Sequence, residues 1–530
     1  MPHSIANQAN PARYLQDKLF TEDFQSSLKS KISQAKPYNY GVIDGLFKED
    51  VLRQARDEIF ENIQFTEKET DIYKLNQTGD LLNIDGLPEE EAKLLSTLHK
   101  VRDALYSKEM RDMISKVTGC GPLSASKTDL SLNNYDKGCH LLTHDDVIGD
   151  RVISFILYVL PPDYKWDPKW GGALRVYPTL REGVPDTDYC GAVPPQFNQL
   201  SFFKIVPGHS FHDVEEVYVD QPRLSIQGWY HLPQEGEEGY VETPRVDFHT
   251  EVSTMAQQSL AHYECDGYYP ARDFVEASAG LSLDALKQFI SSDILENVDD
   301  LRKQFTEEGI LRLNDFLEPE FFAAVRSEIE ELELQKCPIK KTDVPEEWGV
   351  AAPPHLRKYL YLRSNGQSTS LQMLKELFSS RAFIRLIERL TACLPEQQFV
   401  ELRRFRPGID YTLASVSGFK EDILEAVLSV TTAKFEDGVG GYDLVMGGGS
   451  DENDDPAVYR ESKDEDGGVL LSALPNPNEF IIILRYPDLL RFIQYLSKNA
   501  PGSRWDVHGE YTVKPDSVNV EVDESTMRVD

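Results

Sequence analysis

Two histidines, an aspartate and an arginine have the residue types and spacing to hold a metal ion and an anionic ligand. One residue separates His144 from Asp146. His212 follows Asp146 after 66 residues, and Arg223 follows His212 after 11. A strand would place the first pair on one face, and a histidine from a distant strand could complete a three-ligand face. Two imidazoles and one carboxylate suit Fe(II), with positions left open for a 2-oxo acid and dioxygen. The pattern therefore indicates a non-haem iron site.

The residues alone leave several assignments open. A His-x-Asp pair occurs by chance in a chain of 530 residues, so it gains weight only from its surroundings. The distal histidine could be His209 or His212, because their odd spacing would place them on opposite faces of one strand. The guanidinium fork of Arg223 matches the distal carboxylate of a bound 2-oxo acid. Tyr135 and Tyr158 could add phenolic hydrogen bonds to that acid or be ordinary core tyrosines.

Short strand candidates surround these residues. Residues 151–160 are rich in β-branched and aromatic types and end at a Pro-Pro pair, which is typical of a buried strand. Many short strands with long connections predict a jelly roll, or double-stranded β-helix. Further strand candidates, separated by Gly and Pro, are 127–132, 139–143, 173–177, 200–206 and 223–231. Helical candidates, expected to buttress the sheet, are 89–117, 282–290 and 292–305.

The second half of the chain repeats the first at low similarity. Residues 45–59 match residues 315–329 at an offset of 270, and their shared apolar positions have the spacing of an amphipathic helix. Offsets of 270, 280 and 281 align later segments and pair the site residues of the first copy with residues that mostly cannot bind metal. These pairs are His144 with Ala414, Asp146 with Val416, His212 with Phe492, and Arg223 with Arg504.

The repeat predicts two copies of one β-fold, of which the second is degenerate. The expected fold class is mainly β with flanking helices (α+β), in two tandem double-stranded β-helix domains of the jelly-roll or cupin-like kind. The expected domains are a catalytic domain at 1–240, a linker with helices at 241–300, and a non-catalytic domain at 301–530 with an acidic loop near 451–466. The surviving Arg504 indicates either a partly structural role for Arg223 or a residual anion site in the second copy.

Composition limits the partners and the compartment. The formal net charge of −34 disfavours direct binding to nucleic acid and favours a basic protein partner. The longest strongly apolar run, 152–160, is too short to span a membrane, and the first residues lack a signal-peptide pattern. Six cysteines without metal-binding spacing indicate reduced thiols. We therefore expect a protein of the nucleus and cytoplasm.

Five segments together resemble the eukaryotic ribosomal prolyl 3-hydroxylases, a family of 2-oxoglutarate- and iron-dependent oxygenases. This family comprises the yeast termination-and-polyadenylation proteins and the animal 2-oxoglutarate and iron-dependent oxygenase domain-containing proteins. The resemblance extends over nearly the whole chain, including the degenerate second domain. The segments are LLTHDD (141–146), ISFILY (153–158), WGG (170–172), SFHDVEEV (210–217) and RLSIQGWYH (223–231).

The resemblance implies an activity, its cofactors and a substrate. The cofactor would be Fe(II), the cosubstrates 2-oxoglutarate and dioxygen, and ascorbate a supporting reductant. The substrate would be a proline of the basic small-subunit ribosomal protein that reaches into the decoding centre, with effects on translation accuracy and termination. By resemblance, His144, Asp146 and His212 would hold the iron, Arg223 with Tyr158 the distal carboxylate of 2-oxoglutarate, and Tyr135 the acid near the metal.

Two other functions stay open at this stage. The chain could be a regulatory or binding protein whose second domain docks translation termination or messenger-ribonucleoprotein factors, or an oxygen-responsive transcription regulator. Alternatively, it could be an oxygenase with another protein target.

Overall fold

The chain divides into two compact units, Met1–Val252 and Ser253–Asp530. The computed structural model describes residues 10–78, 89–241, 269–270, 283–363, 369–415, 422–435, 439–446, 469–487 and 489–513. In each unit a curled antiparallel sheet packs helices against one face and encloses a second core on the other. The predicted fold class, mainly β with two tandem double-stranded β-helix domains, is confirmed.

The strands of the first unit follow the alternation of their side chains. In residues 151–158, Phe155 and Leu157 join the core under the helices, whereas Ile156 and Tyr158 join the core inside the barrel. Burial on both faces explains the continuous apolar run of this segment. The strands are β1 (Tyr40–Asp44), β2 (Thr66–Glu69), β3 (Tyr73–Gln77), β4 (Asp129–Tyr135), β5 (His140–His144), β6 (Arg151–Tyr158), β7 (Leu174–Val176), β8 (Thr179–Arg181), β9 (Val184–Pro185), β10 (Gly191–Val193), β11 (Gln199–Lys204), β12 (His212–Val214) and β13 (Arg223–His231).

Helices cover the outer face of this sheet. The predicted helix at 89–117 is instead three helices, because the chain leaves helical geometry at Leu95 and again at Tyr106. The Ser107 hydroxyl then accepts a hydrogen bond from the Met110 N–H (3.3 Å) and starts the last of them. The helices are α1 (Glu22–Gln34), α2 (Glu49–Asn62), α3 (Glu89–Leu94), α4 (Ser96–Leu105) and α5 (Lys108–Thr118).

The second unit has strands and helices of the same kind. Its strands are β14 (Tyr269–Pro270), β15 (Ile310–Leu313), β16 (Trp348–Ala351), β17 (Arg357–Leu362), β18 (Pro395–Phe405), β19 (Tyr411–Ser415), β20 (Ile423–Ser429), β21 (Tyr442–Met446), β22 (Val469–Ala473), β23 (Glu479–Arg485), β24 (Leu489–Ile493) and β25 (Arg504–Val513). Its helices are α6 (Ser292–Glu296), α7 (Val298–Glu308), α8 (Pro319–Glu333), α9 (Ser370–Phe378) and α10 (Arg381–Thr391).

The strand order confirms the internal repeat. In the first unit the order is β1-β11-β6-β13-β4-β3-β5-β12-β7-β10, and in the second it is β15-β23-β20-β25-β18-β17-β19-β24-β21-β22. These two orders correspond position by position. Asn198 and Asn478, which the sequence aligns, both have positive φ, and their side-chain oxygens accept from the N–H groups of Phe47 (2.9 Å) and Leu317 (2.8 Å) respectively. The two copies therefore share local contacts as well as topology.

The strand register corrects two of the predicted equivalences by one residue. In the first barrel His212 pairs with His144, and the next pair, after an irregularity, is Val214 with Leu141. The second barrel has the same irregularity, where Ser415 pairs with Arg491 and Ile493 with Thr412. Ser415 and Arg491, rather than Ala414 and Phe492, therefore correspond to the two histidines. Val416 lies outside the described residues. The connection from Phe405 to Ser415 is one residue longer than that from Tyr135 to His144, and weak similarity could not reveal this difference.

The predicted domain boundaries stay predictions over most of the linker. Of residues 241–300, the structure describes 241, 269–270 and 283–300. From Leu283 onward the chain has the predicted helical character, and Leu286, Ile290, Ile294 and Val298 are buried in the core of the second unit. The acidic loop at 451–466 lies outside the described residues. Within the described parts of the chain, no helix has the length and apolar character needed to cross a membrane.

Candidate metal centre and anion pocket

The first barrel brings His144, Asp146 and His212 together. The histidines face each other where β5 ends and β12 begins, with ring centroids 4.2 Å apart. The Asp146 carboxylate lies between them, with Oδ1 3.3 Å from His144 Nε2 and Oδ2 3.5 Å from His212 Nε2. One ligand atom of each residue lies within 4.8 Å of the others. Such a cluster can hold one divalent ion on three protein ligands.

Asp146 reaches the cluster from a turn and not from a strand. The predicted alternation along one strand is wrong here, because β5 ends at His144 and Asp146 has a φ of +62°. A non-glycine residue in this left-handed region is held there by its surroundings. The neighbouring Asp145 supplies part of that support, since its carboxylate accepts from the Gly208 N–H (3.3 Å) and its carbonyl accepts from the Ser210 hydroxyl (3.0 Å).

Backbone carbonyls set the tautomers of both histidines. His144 Nδ1 lies 2.8 Å from the Leu142 carbonyl oxygen, and His212 Nδ1 lies 2.9 Å from the Ser210 carbonyl oxygen. A carbonyl can only accept, so each Nδ1 carries the proton and donates. Nε2 of each ring is therefore the atom that can bind a metal ion, once the proton it shares with Asp146 in the apoprotein is displaced.

The electrostatics of the cluster fit a cation. Burial would raise the pKa of Asp146, but His212 and His144 hold it well below its usual range. Burial would lower the pKa of His144, but the hydrogen bond and charge of Asp146 raise it. Asp146 Oδ2 is buried, and no group in the described parts of the chain donates a hydrogen bond to it. A buried carboxylate oxygen without a donor is costly, and a bound metal ion would satisfy it.

The structure separates the two candidate distal histidines. His209 lies before β12, and its Nδ1 is 3.2 Å from the Thr179 hydroxyl. It does not belong to the cluster of ligand atoms. The choice that the sequence pattern left open is therefore made by the fold, which brings His212 to the centre.

A second set of buried polar atoms surrounds Arg223. Arg223 pairs with Tyr135 across β13 and β4, and its guanidinium carbon lies 4.7 Å from the Tyr135 ring centre and 5.0 Å from that of Tyr158. Its Nε donates to the Gly172 carbonyl (2.6 Å). Within the described residues, Arg223 Nη2 and both tyrosine hydroxyls lack a partner in full hydrogen-bond geometry, although Ser201 and Arg223 lie close enough to Tyr158 to oppose the rise that burial causes in its pKa. Three unpaired donors in one pocket fit an incoming carboxylate.

Burial also affects how these tyrosines ionise. It raises the pKa of Tyr135 and of Tyr158, although the nearby Arg223 charge opposes the rise. Both hydroxyls therefore keep their protons near neutral pH and can donate to an anion.

The glycine pair after Trp170 has a role that the sequence interpretation missed. Gly172 has a φ of +71°, and a Cβ there would lie 2.8 Å from Arg223 Cδ. At Gly171 a Cβ would lie 2.0 Å from the Glu216 carbonyl oxygen. The sequence signal for this role was the pair of adjacent glycines, and the structure shows that neither position has room for a side chain. They allow the backbone to approach Arg223 and accept from its Nε.

The second barrel supplies its own carboxylate to an arginine whose counterpart in the first barrel has no salt bridge among the described residues. Arg504 occupies the position of Arg223, and its Nε donates to Asp506 Oδ2 (3.0 Å). Arg403 donates to both oxygens of the same carboxylate (2.7 and 3.0 Å). Asp506 corresponds by register to Ser225 of the first barrel. Arg504 is therefore paired internally, which supports a structural role for it over a residual anion site.

The second barrel pairs Arg491 with buried carboxylates of β20 and β25, which correspond to β6 and β13 and not to the strands of the metal cluster. Glu425, His508 and Glu510 are the other group among the described residues with metal-ligand types and spacing. Arg491, in the position of His212, lies 3.1 Å from Glu425 and 3.1 Å from His508 Nε2, and it also pairs with Glu510. Arg485 lies 3.1 Å from Glu425. Two guanidinium groups thus neutralise the two carboxylates, and an added divalent ion would leave excess buried positive charge.

Two models of known protein families match the two units of the chain separately. A model of the 2OG-Fe(II) oxygenase superfamily matches residues 130–231, and a model described as "Oxoglutarate and iron-dependent oxygenase degradation C-term" matches residues 281–519. Among solved structures, a Pseudomonas putida prolyl-4-hydroxylase aligns at 20% identity and a TM-score of 0.29, over 39% of this chain and 98% of its own.

Two curated relatives align over most of the sequence. "Prolyl 3,4-dihydroxylase OGFOD1" of Ostreococcus tauri is 30% identical over 526 residues, which cover 94% of this chain and 99% of that protein. "Prolyl 3-hydroxylase sudestada1" of Drosophila melanogaster is 26% identical over 482 residues, covering 88% and 81% respectively. The chain therefore belongs to the OGFOD1 family of 2-oxoglutarate- and iron-dependent prolyl hydroxylases.

Proposed function

We propose that the first barrel is the catalytic site of a prolyl 3-hydroxylase, in which His144, Asp146 and His212 bind Fe(II). Arg223, with Tyr158, binds the distal carboxylate of 2-oxoglutarate, and Tyr135 contacts the acid closer to the metal. The observation that carries this proposal is a group of buried polar atoms in one barrel that the described residues leave without hydrogen-bond partners: Asp146 Oδ2, Arg223 Nη2 and the two tyrosine hydroxyls. Their chemistry is complementary to a cation and a carboxylate.

The residues of the site would bind the metal ion and 2-oxoglutarate, and they would keep water away from the bound 2-oxoglutarate. With dioxygen and 2-oxoglutarate, bound Fe(II) supplies the oxidising chemistry that converts a C–H bond to C–OH and releases succinate and carbon dioxide. Three protein ligands leave coordination positions open for the reactants. The buried walls around Arg223, Tyr135 and Tyr158 exclude water from the cosubstrate and strengthen each charged hydrogen bond.

Tyr158→Phe tests the cosubstrate pocket. Removing an unpaired buried hydroxyl should leave the apoprotein as stable or raise its free energy of unfolding by about 1 kcal/mol. The same change should weaken 2-oxoglutarate binding by roughly tenfold, because a donor to a charged carboxylate is lost. Chemical denaturation and calorimetric titration of the metal-loaded protein measure the two effects.

Tyr230→Phe is the matched control for this prediction. The Tyr230 hydroxyl is also buried but donates to the Leu105 carbonyl (2.6 Å). This variant should lose about 1 kcal/mol of stability and keep its affinity for 2-oxoglutarate. Equal behaviour of the two variants would contradict the proposed use of Tyr158.

We further propose that the substrate is a proline of the small-subunit ribosomal protein that reaches into the decoding centre. Support comes from the family and from charge: the chain carries a formal net charge of −34, and ribosomal proteins of this kind are basic. Opposite charges raise the rate of encounter and weaken with salt. The names of the relatives add proline 3-hydroxylation and, in Ostreococcus tauri, 3,4-dihydroxylation as the reactions of those proteins.

Mass spectrometry of the isolated ribosomal protein tests this substrate. Incubation with the enzyme, Fe(II) and 2-oxoglutarate should add one or two oxygen atoms to the decoding-centre proline, and a version with alanine at that proline should gain none. The KM for the protein substrate should rise with ionic strength. An enzyme that turns over 2-oxoglutarate on another basic protein, but adds no oxygen to this one, would redirect the assignment.

The second barrel supports one additional candidate function. It keeps the whole strand order but pairs its buried charges internally, so it suits a docking module more than a second catalytic site. We propose it as the surface for translation termination or messenger-ribonucleoprotein factors, or for an oxygen-responsive transcription regulator, in the nucleus and cytoplasm. A full-length His144→Ala variant that retains such partners would separate docking from catalysis. Stimulation by ascorbate is part of the same proposal and can be measured in the turnover assay.

A further inference from the structure

The outer face of the strand that carries His212 holds a buried charged contact. Asp213 follows His212 in β12, and neighbouring residues of a strand point to opposite faces. Its carboxylate accepts from Arg175 Nε (2.8 Å) and Nη2 (2.7 Å) and from the Tyr177 hydroxyl (2.5 Å). Arg175 and Tyr177 belong to or directly follow β7, the strand that pairs with β12. We call these three side chains the β12 clamp.

Burial and three hydrogen bonds to one carboxylate make the β12 clamp rigid. Asp213 and Tyr177 are 3% and 2% exposed, so their contacts are poorly screened by solvent. A two-point contact between a guanidinium and a carboxylate fixes orientation as well as distance. The third bond, from the tyrosine hydroxyl, leaves the carboxylate little freedom to turn. The clamp therefore fixes the backbone of Asp213 relative to β7.

The position of His212 depends strongly on how the clamp holds β12 against β7, because β12 is too short to be fixed by many backbone hydrogen bonds. β12 consists of His212–Val214 alone, and its pairing with β5 is irregular between those two residues. Its pairing with β7 is regular, with Asp213 opposite Arg175. The position of His212 at the metal centre is thus set mainly from the β7 side, where the clamp lies.

The second barrel shows what this face looks like without a metal ligand. By register, Phe492 stands at the position of Asp213, Asp443 at that of Arg175 and Val445 at that of Tyr177. Phe492 and Val445 pack against each other in a small apolar cluster. The fold therefore forms without the clamp, and an apolar contact replaces it in the barrel where Arg491 stands in place of His212.

We propose that the β12 clamp is a positioning element that orients His212 for metal binding. This inference rests on the proposed role of His212 as a metal ligand. Arg175, Asp213 and Tyr177 touch neither the metal nor the cosubstrate in this arrangement. They act through the backbone of β12, whereas the hydrogen bond to the His212 ring itself comes from the Ser210 carbonyl.

Metal titration of the full-length apoprotein tests the clamp independently of turnover. Asp213→Asn should raise the Kd for Mn(II), measured by calorimetry, by about 10- to 100-fold. Tyr177→Phe removes one hydrogen bond of three and should raise it by a few fold. Arg175→Gln combined with Asp213→Asn should bind metal no more weakly than the worse single variant, because both changes break the same contact. The absorption spectrum of bound Co(II) should also change in Asp213→Asn, since the ligand geometry shifts.

Asp129→Asn is the matched control. Asp129 accepts from Arg151 Nε (3.3 Å) and Nη2 (2.8 Å) in another partly buried ion pair of the same barrel, on β4 and β6. The Asp129→Asn substitution should lower the melting temperature of the protein but leave its Kd for Mn(II) unchanged. If Asp213→Asn behaves in the same way, the clamp is merely structural and the proposal is overturned.

Two further outcomes keep the test decisive. If Asp213→Asn does not fold, Tyr177→Phe carries the decision, and an unchanged Mn(II) Kd in that variant overturns the proposal. If His212→Ala binds Mn(II) as tightly as the wild type, the metal site itself has been misassigned. That result differs from a failure of the clamp alone, in which His212→Ala loses the metal and the clamp variants keep it.

Discussion

His144→Ala is expected to abolish substrate-dependent turnover of 2-oxoglutarate. The variant loses one of three ligands, so its loss should exceed the 10- to 100-fold that removal of a partner outside the metal shell typically costs. Succinate release, measured with a protein substrate and Fe(II), should fall to background. Mn(II) should raise the melting temperature of the wild-type protein but not that of the variant, because a metal ion stabilises only a folded protein that binds it.

The apoprotein should stay folded in this variant. The second barrel forms the same strand pairs with Ser415 and Arg491 at the positions of the two histidines, so folding does not require the ligands. His209→Ala is the matched control, because His209 is a nearby histidine whose ring contacts Thr179 and not the cluster. It should keep turnover within about twofold of the wild type. Full activity in His144→Ala would remove the basis for the metal assignment.

Local patterns in the sequence predicted several strands around the candidate site and the convergence of its candidate metal ligands. The strand candidates at 151–160 and 223–231 form β6 and β13, and the offset repeat predicted the second barrel. These features depend on side-chain alternation and on residues close in sequence, which a single chain displays directly. His144 and Asp146 do converge, although a left-handed turn and not a strand brings Asp146 there.

What sequence could not supply depends on contacts between distant segments. The choice between His209 and His212 is made by the pairing of β12 with β5, and the equivalence of Arg491 with His212 is made by an irregularity in the matching strands. A one-residue error in register moves a side chain to the other face of a sheet. The predicted partner Phe492 therefore belongs to the outer face, where it corresponds to Asp213, and only the paired strands reveal this.

The two barrels together show two ways to satisfy the same buried polar framework. In the first, an arginine, two tyrosines and an aspartate have buried polar atoms with no partner among the residues that the structure describes, and ligands from outside can satisfy these atoms. In the second, Asp506 pairs with Arg504, and Arg491 pairs with the buried carboxylates of Glu425 and Glu510. An unpaired buried charge costs several kcal/mol, so each barrel needs its counter-charges from some source. This contrast makes opposite predictions for the two equivalent arginines.

Arg223→Gln is expected to impair cosubstrate binding without destabilising the apoprotein. Among the described residues Arg223 has no salt bridge, and its Nη2 has no partner, so the charge contributes little to folding before a carboxylate arrives. With 2-oxoglutarate bound, the variant lacks the charged half of a buried pair, which typically costs about 3–5 kcal/mol. The KM for 2-oxoglutarate should therefore rise roughly 100-fold or more, while the Mn(II) Kd stays near the wild-type value.

Arg504→Gln should show the reverse pattern. It removes a partner of Asp506, a fully buried carboxylate whose pKa burial would raise and whose two arginines hold it below its ordinary value. Although Arg403 still contacts this carboxylate, the melting temperature and free energy of unfolding should fall, and the KM for 2-oxoglutarate should not change. If Arg504→Gln instead raises that KM, or Arg223→Gln lowers only stability, the division into a ligand-dependent first barrel and a self-paired second barrel is wrong. The two arginines occupy the same position in the same fold. A loss of stability in one variant and a raised KM in the other would therefore show that Arg504 is neutralised by Asp506, whereas Arg223 is neutralised by bound 2-oxoglutarate.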